Sequence, residues 1–77
     1  MTFYEFICKY ADSDTPRGDL SRDIRADDHW PYAPGYSPED KMIFKNYMKA
    51  KGCSKACIHV FDNAWLSYIH LCKRGGK

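Results

Sequence analysis

Four cysteines and three histidines give this 77-residue chain a generous supply of metal donors for its size. Cys53 and Cys57 stand four residues apart, His59 follows, and His70 and Cys72 come later, so thiolate and imidazole, the donors zinc prefers, are both at hand. The spacing is unconvincing for a zinc site. If Cys57 and Cys72 lie on a core-facing stripe, they behave as small apolar residues. Asp27-Asp28-His29 invites a second metal reading, but adjacent residues on a helix point in different directions and no His-Glu-x-x-His or Glu-x-x-His spacing supports it. No serine, cysteine or histidine forms a nucleophile and base pair in sequence, and no glycine-rich phosphate loop is present. The expectation is therefore no catalytic residue, no metal and no cofactor: a chain that binds rather than catalyses.

Binding chemistry is better represented. Lys41, Lys45 and Lys49 recur every four residues and would line one side of a helix, with Lys51 and Lys55 close behind. Such a stripe could track phosphates or meet an acidic protein surface; the plainer alternative is a solvated face. Charge is divided along the chain. Residues 1–40 carry four Lys/Arg against nine Asp/Glu, and residues 41–77 carry eight against Asp62 alone, so the halves balance at −5 and +7. With acids nearly absent from its half, the stripe is expected to lack local neutralisation. The aspartates of the first half form an acidic surface suited to a basic partner, a second copy included. Trp30, Tyr32 and Tyr36 sit beside prolines: the reading folds Trp30 back onto the core and leaves Tyr32 and Tyr36 as binding candidates. Asp62 is read as a hydrogen-bond acceptor for a neighbouring helix start or loop.

These side chains need elements to position them. Thr2 to Glu5 has the form of a capping box, and Phe3, Phe6, Ile7 and Tyr10 follow at helical spacing. The Ser, Asp, Thr, Pro and Gly cluster between Asp12 and Gly18 predicts a loop. Asp19 or Ser21 then caps a short second helix with Leu20, Ile24 and Ala26 inward. Two prolines and a glycine make His29 to Tyr36 an irregular aromatic loop. Ser37-Pro38-Glu39-Asp40 predicts a helix start, with Ile43, Phe44, Tyr47 and Met48 apolar and Gly52 as terminator after about Lys51. Ser54 caps the last and longest helix, whose core stripe is Cys57, Phe61, Ala64, Trp65, Tyr68 and Cys72. One domain over residues 1–73 is expected, with residues 74–77 as a frayed tail. No secretory signal or membrane span is visible, which points to the cytoplasm and to reduced thiols.

Thr2-Phe3-Tyr4 with Phe6-Ile7 and Lys9-Tyr10, then Asp19-Leu20-Ser21, Trp30-Pro31, Tyr47-Met48 and above all Phe61-Asp62-Asn63-Ala64-Trp65 with Tyr68, resemble the YozE-like family of small bacterial proteins. The likeness spans nearly the whole chain. It departs from the family pattern between Pro31 and Asp40, where the loop is rich in Pro and Tyr, and in its four cysteines. The resemblance implies an all-α, compact four- or five-helix bundle similar to the sterile alpha motif, and implies no activity, cofactor or partner. Domains of that shape bind other proteins, in cases self-associate head to tail, and in others bind nucleic acid. The functional expectation is a non-enzymatic interaction module or accessory subunit docking on a larger protein that handles nucleic acid. Its contact surface is read as Lys41, Lys45, Lys49, Lys51 and Lys55 with Tyr32 and Tyr36. Direct sequence-independent nucleic-acid binding and weak head-to-tail self-association are the alternatives.

Overall fold

Phe3 explains why the chain closes into one body. In the computed structural model, which describes residues 2–33 and 35–75, its ring is fully buried and lies 5.3–5.5 Å from the rings of Phe44, Phe61, Trp65 and Tyr68. Rings that large let a short chain bury enough apolar area to fold. Four helices supply them: α1 (Phe3–Cys8), α2 (Pro16–Ala26), α3 (Pro38–Ala50) and α4 (Lys55–Gly75). α4 packs against each of the other three, and α1 also packs on α2. The expected α4 stripe forms the wall they share: Phe61, Ala64, Trp65 and Tyr68 are buried, with Cys57 and Cys72 half-buried at its ends. The all-α bundle expected from the sequence is what the chain forms.

The short α1 is fixed by its cap. Thr2 Oγ1 accepts from the Glu5 N–H at 3.2 Å, and Glu5 Oε1 accepts from the Thr2 N–H at 2.8 Å, the reciprocal box foreseen. The helix ends earlier than its apolar stripe. Lys9, Tyr10 and Ala11 continue through N–H bonds to the carbonyls of Phe6, Ile7 and Cys8, a tighter winding that keeps Tyr10 against Phe6 at 5.5 Å.

The second helix corrects the sequence reading. It begins at Pro16, inside the segment expected to be loop, and its cap is Thr15 rather than Asp19 or Ser21. Thr15 Oγ1 accepts from the Gly18 N–H at 3.1 Å, and Pro16 occupies the first turn, where its missing N–H is no loss. Gly18 acts here as a packing residue rather than a breaker: a Cβ there would lie 2.0 Å from the Ser13 carbonyl oxygen. Ser21, freed from capping, is fully buried beside Leu20 and Ile24, whereas Ala26 is exposed instead of inward. Arg22 binds the turn back to this helix, donating to the carbonyls of Ala11 at 2.8 Å and Ser13 at 3.1 Å and pairing with Asp19.

The remaining connections follow the sequence closely. Ser37 and Asp40 form a second capping box at the start of α3. α3 ends with Gly52 at φ 87°, the left-handed terminator, while the Cys53 N–H reaches the Met48 carbonyl at 3.1 Å. Ser54 Oγ accepts from the Cys57 N–H at 3.1 Å and opens α4. That last helix runs to Gly75, two residues into the segment expected to fray; the rest of that tail, residues 76–77, lies outside the described residues.

Candidate interaction surface

The face that α3 turns toward α4 is set by Phe44 and Met48, which are 1% and 2% exposed. Lys41 and Lys45 lie on one flank of that face and are drawn down to a single carboxylate on α4. Their Nζ atoms stand 3.3 and 3.4 Å from Asp62 Oδ1, with both lysine side chains partly buried. The expectation of a stripe without local neutralisation is thereby corrected: the sole acid of the second half sits between two ammonium groups one helical turn apart. Asp62 is a hydrogen-bond acceptor, as read, but its donor is the Lys45 ammonium at 3.5 Å instead of a helix start or loop. Its isolation as the only acid among eight basic residues was the available signal.

Lys51 is likewise engaged. Asp27, at the end of α2, accepts from Lys51 Nζ at 2.6 Å and from the Tyr47 hydroxyl at 2.8 Å through one oxygen, and from the His29 N–H at 2.9 Å through the other. The Lys51 ammonium, followed by the His29 N–H and the Tyr47 hydroxyl, holds this carboxyl down at about 2. The same carboxylate raises the pKa of Lys51, and burial followed by that carboxylate raises the pKa of Tyr47. The network anchors the aromatic loop, in which Trp30 stacks on Phe44 at 5.2 Å with planes 7° apart and meets Tyr47 edge-on at 5.6 Å. Trp30 thus folds back onto the core, as expected.

On the outer arc of α3, Met42, Ile43, Asn46, Lys49 and Ala50 are all exposed, and Lys55 at the start of α4 is exposed too. Ile43 was expected inside. It is 46% exposed because the buried face centres on Phe44 and Met48, with the Asp62-bound lysines on one side and Tyr47 on the other, which turns Ile43 away. Met42, also 46% exposed, was not singled out by its sequence position. Of the five lysines proposed from spacing, only Lys49 and Lys55 carry no carboxylate partner among the described residues.

The two tyrosines of the loop do not form one platform. Tyr32 borders a groove between the start of α1 and the end of α2, while Tyr36 borders another with Ile69 and Lys73 of α4. The thiols are free and half-buried. Burial, then the neighbouring Cys53, pushes the Cys57 thiol up to about 11, which keeps it protonated near neutral pH. His59 and His70 are exposed, and no three His, Cys, Asp or Glu side chains among the described residues gather to hold a metal ion. No helix among them is long and apolar enough to cross a membrane.

Short capped helices around one long core helix, with a surface of ion pairs and exposed apolar groups, define a small helical module of sterile-alpha-motif-like shape. The family described as YozE SAM-like fold matches residues 2–70, and the chain belongs to it. Comparison with curated proteins and with solved structures gives no match.

Proposed function

We propose that this chain is a non-enzymatic interaction module that docks on a larger protein through the outer arc of α3 and the adjoining start of α4. One observation carries the reading: Met42 and Ile43 are each 46% exposed on the same arc as Lys49, on a helix whose other large aliphatic and phenyl side chains, Phe44 and Met48, are buried. Apolar side chains at the centre of a contact supply affinity, while lysines at its rim steer an acidic partner. Lys41, Lys45 and Lys51 support this surface from beneath, holding α3 in place through Asp62 and Asp27. Direct nucleic-acid binding draws less support, since three of the five lysines already face carboxylates inside the molecule and would neutralise phosphates only after leaving them.

The test is affinity capture from the native cell with the wild type, with Ile43→Asp and with a Lys49→Glu/Lys55→Glu variant, each checked for unchanged helical content. A protein retained by the wild type and lost from both variants is the expected result. Equal retention by all three would overturn the choice of surface. Binding of a labelled oligonucleotide at low salt, abolished by the lysine variant, would transfer the function to nucleic acid.

A further inference from the structure

The acidic half of the chain has a surface of its own. Where the start of α1 meets the end of α2 and the following loop, a groove of about 550 Å³ opens, walled by the rings of Tyr4, Trp30 and Tyr32 and by Glu5, Asp28 and Arg25. Tyr32 is 77% and Tyr4 40% exposed, so both rings face solvent, while Trp30 is held by its stack on Phe44. Asp27, at the same groove, is committed to Tyr47 and Lys51. Asp28 is exposed and has no ion-pair partner among the described residues, and Glu5 caps the Thr2 N–H through one oxygen of its carboxylate.

We propose that this groove docks an arginine-bearing segment of a partner protein. A guanidinium lies flat on a tyrosine ring and forks its N–H groups onto a carboxylate, and a groove with rings and carboxylates side by side offers both. Charge complementarity selects the occupant. Glu5 and Asp28 outweigh Arg25 within a half that carries −5. Nucleic-acid bases also stack on tyrosine, but these carboxylates repel the phosphates that come with them. Two of the chain's own arginines are engaged at home, Arg17 over the Tyr10 ring at 5.1 Å and Arg22 tied to Ala11, Ser13 and Asp19, which favours a different protein as the source and leaves a second copy as an outcome of the test. The groove shares no residue with the α3 arc, so it stands independently of the docking surface described above.

The experiment is fluorescence anisotropy on the full chain at low salt. The probes are a short labelled peptide of arginines spaced by glycine and serine, the same peptide with lysines, and a labelled oligothymidine. The arginine peptide binds most tightly, Tyr32→Ala weakens it about fivefold, and Asp28→Lys weakens it further, with circular dichroism unchanged in both variants. Failure of the arginine peptide to bind, or equal affinity for the wild type and both variants, overturns the proposal. Tighter binding of oligothymidine, or a dimer in sedimentation that Tyr32→Ala dissolves, overturns it in favour of nucleic acid or a second copy.

Discussion

At the scale of single residues, Asp27 and Ser21 pose opposite cases. Asp27 meets three donors, and its folded-state pKa of about 2 lies below the ordinary 3.8. Because the fold favours the ionised form, its contribution to stability is complete above the ordinary value and is lost as pH falls toward the folded one. Urea midpoints measured down that interval should therefore drop more steeply for the wild type than for Asp27→Asn; parallel curves would mean the carboxylate is unpaired in solution. Lys51 and Tyr47 act at the other end. Both have raised values, so their contribution holds below their ordinary pKa values and fades as pH climbs through the folded ones. Ser21, by contrast, is fully buried with a hydroxyl that has no hydrogen-bond partner among the described residues. Alanine keeps nearly the same volume and removes the unpaired group, so Ser21→Ala should leave thermal stability unchanged or raise it by up to about 1 kcal/mol. A clear fall in the melting temperature would reveal a partner for that hydroxyl.

At the scale of elements, α2 is decided by its first four residues. Thr15→Ala removes one capping bond and should destabilise by about 1 kcal/mol. Gly18→Ala should be worse, roughly 2–3 kcal/mol, because its methyl group would press on the Ser13 backbone, which cannot swing aside like a side chain. Denaturant unfolding of the two variants checks the order, and an equal or smaller loss for Gly18→Ala would refute it. The signal for this start was present in the sequence. Thr15-Pro16 has the same form as Ser37-Pro38, where the cap was read, but the surrounding Asp, Ser and Gly outweighed it as a loop composition. Local chemistry cannot tell a glycine that breaks a helix from one that lets a turn come close. Ile43 failed for a related reason. Its spacing fits an apolar stripe, and only the position of α4 determines where on α3 that stripe is centred.

For the whole molecule, stability rests on aromatic rings that meet around Phe3. Truncating a buried Phe costs about 3–5 kcal/mol, and a domain of this length commands roughly 3–5 kcal/mol in all. Phe3→Ala should accordingly be largely unfolded at room temperature by circular dichroism, whereas the solvent-facing Tyr32→Ala should keep its helices. A folded Phe3→Ala would show that the rings close up without it. This much was legible, because Phe61, Ala64, Trp65 and Tyr68 repeat at helical spacing within one element. The ion pairs were not. Lys45 and Asp62 are 17 residues apart and Lys51 and Asp27 are 24 apart, and no local pattern specifies such meetings. Thus the helices and their core could be read, while the division of lysines into those held by carboxylates and those left outside required three dimensions. The placement of the two indoles has a practical consequence. Trp65 is sealed at 1% exposure, whereas Trp30 is half-buried at the edge of a loop. Iodide should quench the second emitter and spare the first, so steady-state fluorescence can follow release of the loop separately from melting of the interior.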